Sequence, residues 1–194
     1  ITVLGGGNGS FAAAGDFALQ GHEARLWRRD ADAVARQRAE GARIIVKDSR
    51  GRHDAKLALV TTDITAAVRG ADLILCPAPA FAQHDIARAL APHLTDGQVV
   101  YLPPATFGSF IFAKAMREAG NRADVSFAET GTLPWLTRKH GPFEVAITIR
   151  AKRLPTGVFP LRTAGHALAV IGKAFPNVIE PCGDALSGAL MNAG

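Results

Sequence analysis

The chain has 194 residues, of which 48% are hydrophobic and 20% charged, enough to bury the core of one large domain or of one domain and the start of another. Nothing in it resembles a signal peptide or a transmembrane helix. Cys76 and Cys182 lack both metal-ligand spacing and a disulfide framework, so we expect a reduced, cytoplasmic protein with no bound metal.

The formal net charge of +5 is explained either by a mildly basic, solvated surface or by attraction of an anionic cofactor or substrate. Nucleic-acid binding would need a basic stripe with interleaved aromatic residues, and the sequence has none. We therefore expect small-molecule partners and neither nucleic acid nor membrane, and we leave a homo-oligomer open.

Residues 1–14, ITVLGGGNGSFAAA, predict a strand, a glycine-rich turn and the start of a helix. This arrangement is typical of a dinucleotide pyrophosphate site, because the turn lets the backbone approach the phosphates and the helix presents free N–H groups to them. Gly5 allows the tight turn and Gly7 the close approach, while Ser10, or Ala12 in a shifted register, is small enough for helix–strand packing. The predicted cofactor-binding residues here are Gly5, Gly7, Asn8, Gly9 and Ser10. The alternative is a glycine turn without a ligand.

The remaining elements alternate in type, which predicts a doubly wound, mostly parallel α/β sheet of Rossmann type. The predicted strands cover residues 1–4, 24–28, 43–47, 56–61, 72–76, 98–102, 124–128 and 144–149, with 43–47 and 56–61 forming a hairpin. The predicted helices cover residues 10–20, 31–40, 63–68, 81–91, 107–119 and 163–173.

Two further segments are candidates for contact with the cofactor. Arg28 and Arg29 follow the second strand, where an acidic residue would bind the ribose of NAD and an arginine the 2′-phosphate of NADP; Asp30 comes after both. We therefore predict NADP in preference to NAD, with solvated strand-end arginines as the alternative. Pro77 and Pro79 end a buried strand and are expected beneath the adenosine or nicotinamide ribose.

Three stretches together resemble the octopine/nopaline (opine) dehydrogenase family: residues 5–14, the segment ETGTLPW at 129–135 with Arg138, and LMNAG at 190–194. The resemblance implies an NAD(P)-binding Rossmann domain over residues 1–180, and at 181–194 the start of a helical domain that is otherwise missing. It implies reductive condensation of a 2-oxo acid with an amino-acid amine, by hydride transfer to an imine.

The resemblance also implies site residues. Substrate would be bound by Glu129, Thr130, Thr132, Arg138 and Asn192, and the catalytic histidine would lie beyond Gly194, which leaves residues 1–194 inactive alone. From residue types alone, Glu129 is as well explained as a turn cap and Arg138 as the partner of a surface acid.

The segment Pro103–Ser109 departs from the family, whose members have more glycines beside the nicotinamide. Two other interpretations stay open, and this loop supports the second of them. One is a dehydrogenase of the glycerol-3-phosphate dehydrogenase or ketopantoate reductase kind; the other is a dinucleotide-binding protein without catalysis.

Overall fold

The computed structural model describes residues 1–191, which form two β-sheets and the helices packed on them. The strands of this part of the chain are β1 (Thr2–Leu4), β2 (Arg25–Trp27), β3 (Arg43–Asp48), β4 (Gly51–Lys56), β5 (Leu59–Thr61), β6 (Leu73–Leu75), β7 (Val99–Leu102), β8 (Ser126–Glu129), β9 (Trp135–Lys139), β10 (Glu144–Arg150), β11 (Leu154–Phe159) and β12 (Ile179–Asp184). Its α-helices are α1 (Asn8–Leu19), α2 (Ala31–Ala39), α3 (Ile64–Val68), α4 (Ala80–Leu90), α5 (Gly108–Glu118), α6 (Ala164–Ala174) and α7 (Ala185–Leu190).

The main sheet has eight strands in the order β12-β11-β8-β7-β6-β1-β2-β5, and all neighbours are parallel except β8 and β11. From β1 the chain continues through α1 to β2 on one side, and it later returns to the other side of β1 as β6. The doubly wound, mostly parallel fold predicted from the sequence is confirmed. Its topological switch point lies between β1 and β6, where open α/β sheets bind ligands at the carboxyl ends of the strands.

The second sheet has four strands in the order β4-β3-β10-β9 and was not predicted as a separate sheet. The predicted strand 56–61 is wrong, since its first residue ends β4 in this sheet and its last three form β5 beside β2 in the main sheet. The chain crosses from one sheet to the other at residues 57 and 58. Strands β9, β11 and β12 were also missed.

Helix α1 lies between the two sheets and is buried from Gly9 to Phe17. Its Phe11 and Phe17 belong to the same core cluster as Val3 of the main sheet and Ile44 of the second sheet. A Cβ atom on Gly15 would lie 2.5 Å from Cγ2 of Val46, a contact too short for any real Cβ. The small residues of α1 therefore serve a packing purpose, because they let both sheets approach one helix.

A buried ionic network joins α1 to the second sheet. Arg150 of β10 contacts Asp16 of α1, with Nη2 2.8 Å from Oδ1, and it contacts Asp48 of β3, with Nη1 2.9 Å from Oδ2. The indole N–H of Trp135 donates to Oδ2 of Asp16 at 2.8 Å. Burial alone would raise the pKa of Asp48, but hydrogen bonds from Arg50, Arg150 and His53 outweigh it and hold this pKa well below its usual range.

The last strand and helix close one end of the main sheet. Strand β12 pairs with β11 from Leu154 to Val158, and α7 packs against β8, β11 and β12. The domain boundary predicted after residue 180 falls inside β12, and the residues before and after this boundary both belong to the main sheet. Within residues 1–191, no helix combines the length and the apolarity that crossing a bilayer requires.

We expect Gly15→Ala to destabilise the protein, although alanine is the better helix former, because the new methyl group would press on the stiff, buried Val46 side chain. Overpacking of this kind costs about 1–3 kcal/mol. Gly172→Ala is the matched control, since a Cβ there meets nothing within 4 Å, and it should stabilise α6 by up to about 1 kcal/mol. Thermal unfolding of the two variants measures the difference; equal stabilisation by both would contradict the close packing of α1.

We expect Asp48→Asn to lower the unfolding free energy at pH 7 by about 2 kcal/mol, because it leaves the partly exposed Arg150 without one of its two carboxylates. The folded-state pKa of Asp48 lies below its unfolded value of 3.8, so its contribution is complete above pH 3.8 and is lost as the pH falls towards the folded-state value. Denaturant titrations between pH 2 and pH 7 should therefore show a shallower acid decline in the variant. An unchanged decline would contradict the assigned role of Asp48.

Candidate functional site

The glycine loop between β1 and α1 is held in place by backbone contacts. The N–H of Gly5 donates to the carbonyl of Trp27 at 2.8 Å, and the Ser10 hydroxyl donates to the carbonyl of Leu4 at 3.2 Å. Gly5 has a φ of +110°, which a residue with a side chain rarely adopts. Gly7 precedes α1, and no side chain among residues 1–191 caps the helix there. The N–H groups of the first helical turn, with the positive end of the helix dipole, are therefore available to an anion.

A groove follows the carboxyl edge of the main sheet and passes this loop. Its first part, a cleft of about 310 Å³, is lined by residues 5–7, 27–30 and 77–79 and by Phe81. Its second part, a second cleft of about 380 Å³, shares Gly7 and residues 77–79 with the first cleft. It extends to Gln83, Thr106 and Leu133. The predicted residues Pro77 and Pro79 thus line both parts.

The residues along the groove are chemically compatible with a bound dinucleotide. A Cβ on Gly7 would project into open space, so the backbone there is accessible, whereas a Cβ on Gly9 would lie 3.0 Å from Leu133. In the second part, Oε1 of the buried Gln83 has no hydrogen-bond partner among residues 1–191. A ligand with an N–H donor would satisfy this atom.

The three charged residues after β2 have different surroundings. The guanidinium of Arg28 is half-buried beside Gly6, and its Nη1 donates to Oε1 of Gln37 at 3.0 Å. Arg29 is exposed and pairs with Asp85 of α4, with 3.4 Å between Nη1 and Oδ2. Asp30 caps α2 by accepting the N–H of Ala33 at 2.9 Å. Both predicted arginines line the first cleft, while the nearby acid is engaged in a helix cap.

Lys139 of β9 is a candidate residue that the sequence analysis missed. Its backbone N–H donates to Oδ1 of Asn8 at 2.9 Å, and its Nζ lies 3.3 Å from the carbonyl oxygen of Gly6. The same Nζ lies 3.7 Å from the centre of the Phe11 ring. Because Lys139 is more than 130 residues from Asn8, no local motif reveals it. The available signal is that it shares one face of β9 with the buried Trp135, four residues earlier.

Glu129 and Thr130 support the loop Pro103–Ser109. The Glu129 carboxyl accepts the Gly108 N–H at 3.1 Å and the Ser109 hydroxyl at 2.7 Å, and the Thr130 carbonyl accepts the Ala105 N–H at 3.2 Å. Both residues are fully buried. Glu129 therefore has the capping role that the residue types had left open, here at the start of α5, and the geometry gives no direct support to its contact with a substrate.

The other predicted substrate residues do not gather around Glu129. Thr132 is half-buried in the segment between β8 and β9. Arg138 is exposed on β9 and alternates with Trp135 and Lys139, so it projects from the face of the second sheet that points away from α1. The structure thus separates Arg138 from Glu129 and Thr130. Asn192 lies outside the described residues.

Comparisons with known proteins agree with this geometry. An opine dehydrogenase from Arthrobacter sp. (strain 1C) is 34% identical over 178 residues, which are 91% of this chain and 49% of that protein. A structure of octopine dehydrogenase with NADH and L-arginine has 25% identity and a TM-score of 0.76 over 98% of this chain and 50% of that one. The chain resembles the opine dehydrogenases. The resemblance inferred from the sequence, to their N-terminal dinucleotide-binding domain, is confirmed.

The chain spans about half the length of the opine dehydrogenases that it matches. A glycerol-3-phosphate dehydrogenase from Saccharophagus degradans is also 34% identical, over 100 residues, which are 52% of this chain and 27% of that protein. No protein-family model matches the chain.

We expect Glu129→Gln to change how stability depends on pH. Burial raises the pKa of Glu129 to about 7, despite the hydrogen bonds from Ser109 and Gly108 that oppose this shift. A folded-state pKa above the unfolded value of 4.5 gives stability that is complete below pH 4.5 and is lost as the pH rises through 7. Melting temperatures between pH 4 and pH 8 should fall less in the variant than in the wild type. Glu118→Gln, at an exposed position, is the control and should keep the wild-type slope.

Proposed function

We propose that this chain is the dinucleotide-binding part of an NAD(P)H-dependent oxidoreductase of the opine dehydrogenase type. The observation that carries the proposal is the uncapped N-terminus of α1 behind an open Gly7, at the switch point between β1 and β6. The similarity to an opine dehydrogenase over 91% of the chain supports it. We expect such a protein in the cytoplasm.

Within this proposal, the chain's own residues bind and orient the cofactor, which supplies the hydride. The N–H groups of residues 8–10 hold the pyrophosphate, with Gly7 allowing its approach. The first cleft takes the adenosine end and the second cleft the nicotinamide end, near Gln83 and Leu133. NADP is preferred to NAD, because Arg28, whose hydrogen bonds within residues 1–191 go to neutral acceptors, lines the first cleft, while Asp30 is engaged in capping α2.

The reaction we propose is the reductive condensation of a 2-oxo acid with the amine of an amino acid. The octopine dehydrogenase structure with NADH and L-arginine favours this chemistry over other reductions. The histidine that handles the proton would be supplied from outside residues 1–194. These residues alone would then bind cofactor without turnover.

A glycerol-3-phosphate dehydrogenase is the second candidate, favoured by the 34% identity over about half of the chain. The two activities differ in what they require. An opine dehydrogenase consumes NADPH or NADH only when a 2-oxo acid and an amino acid are both present, whereas the alternative needs no amine.

The deciding experiment follows NADPH and NADH oxidation by the complete protein with pyruvate, with and without L-arginine, and identifies the product by mass spectrometry. We expect oxidation that depends on both compounds or on close analogues across a panel of amino acids and 2-oxo acids. Oxidation with dihydroxyacetone phosphate alone would support the alternative. Tight cofactor binding without any oxidation across both panels would indicate a binding protein.

We expect Arg28→Ala to weaken NADPH binding much more than NADH binding, because the guanidinium has a strong partner only in the 2′-phosphate. Loss of one charge-assisted contact corresponds to about tenfold or more in Kd. Isothermal titration of both cofactors measures the ratio. Arg38→Ala, on the exposed side of α2, is the control and should leave both affinities unchanged. Equal losses for both cofactors in Arg28→Ala would rule out the phosphate assignment.

A further inference from the structure

Two cationic side chains, those of Arg28 and Lys139, lie over the ring of Phe11 beside the glycine loop. Nζ of Lys139 lies 3.7 Å from the ring centre, and Cζ of Arg28 lies 5.3 Å from it. Both side chains also approach Gly6: Lys139 contacts its carbonyl oxygen at 3.3 Å, and a Cβ on Gly6 would lie 2.9 Å from Nε of Arg28. The residue after β2 and the last residue of β9, far apart in the sequence, thus bring two positive charges to one residue of the loop.

Neither cation has an acidic partner within ion-pair distance among the described residues. The hydrogen bonds of Arg28 go to the neutral acceptors Gln37 and Ala33, and that of the Lys139 ammonium goes to a backbone carbonyl. Burial and the charge of Arg28 lower the pKa of Lys139, as expected for two like charges that are held together. Side chains in such a position are stabilised by a bound anion.

Arg29, the other basic residue of the first cleft, is a weaker candidate for holding an anion. It is exposed, and its guanidinium already pairs with Asp85 at 3.4 Å. Solvent screens an exposed charge more strongly than a half-buried one. Of the two arginines predicted to bind the phosphate, Arg28 is therefore better placed than Arg29. Lys139 is the better candidate for the second cation at that phosphate.

We propose that Lys139, reaching the loop from the second sheet, is a specificity-determining residue that binds the 2′-phosphate of NADP together with Arg28. This inference rests on the proposed cofactor function. The four rotatable bonds of the lysine stem allow its ammonium to move from the Gly6 carbonyl to a phosphate group above Gly6. The second sheet then contributes directly to the choice between NADP and NAD, in addition to supporting α1.

The test compares Lys139→Met, which keeps the length of the side chain and removes its charge, with Lys139→Arg, which keeps the charge. Calorimetric titration of the complete protein gives Kd for NADPH and for NADH. Lys139→Met should weaken NADPH binding about tenfold or more and change NADH binding by less than about threefold. Lys139→Arg should retain the NADPH preference, and Arg29→Met should lose less of it than Lys139→Met does.

The remaining outcomes are distinguishable. Lys152→Met, at an exposed position, is the matched control and should leave both affinities unchanged. If Lys139→Met weakens NADPH and NADH binding equally, the lysine only positions the loop. If it weakens neither, the lysine contributes nothing to cofactor binding. Either result overturns the inference and leaves the proposed function intact. A wild-type protein that binds NADH but not NADPH would overturn the inference and the proposed NADP preference but not the dinucleotide-binding function, whereas one that binds neither would overturn all three. If Lys139→Met unfolds, a Lys139→Arg protein that has lost the preference for NADPH still refutes the inference.

Discussion

The contact between α1 and the second sheet determines where the glycine loop lies. Arg150 holds Asp16 of α1 and Asp48 of β3 together, and Gly15 lets Val46 approach the helix closely. Such a network is costly to break, because the loss of one member leaves the buried carboxylates or Arg150 with fewer partners. Since α1 begins at Gly7, whatever fixes the helix also fixes its N–H groups relative to the strands of the main sheet.

The same second sheet contacts the loop itself. The backbone of Lys139 binds the Asn8 side chain, and Leu133, just before β9, packs against Gly9. The loop is therefore held on the main-sheet side by Trp27 and Leu4 and on the other side by the segment 133–139. A loop supported from both sides needs little reordering when a ligand binds, which favours affinity.

Local patterns predicted much of this fold and part of the site. The glycine loop, the parallel strands and the prolines after β6 follow from neighbouring residues, and the structure brings them to one groove. The second sheet escaped prediction because β10, which carries β9, pairs with β3 across about 100 residues of sequence. Lys139 and the network around Arg150 depend on that pairing. Glu129 has a family motif around it, but only its burial reveals that it caps α5.

The most direct test of the central claim is hydrogen–deuterium exchange of the complete protein with and without saturating NADPH. We expect slower exchange at the amides of residues 5–10, 78 and 80–82, which the bound cofactor would cover, and no change on the exposed face of β9 and β10 around Arg138 and Ile149. Saturable binding without protection of residues 5–10 would contradict it, because the cofactor would then lie away from the N-terminus of α1.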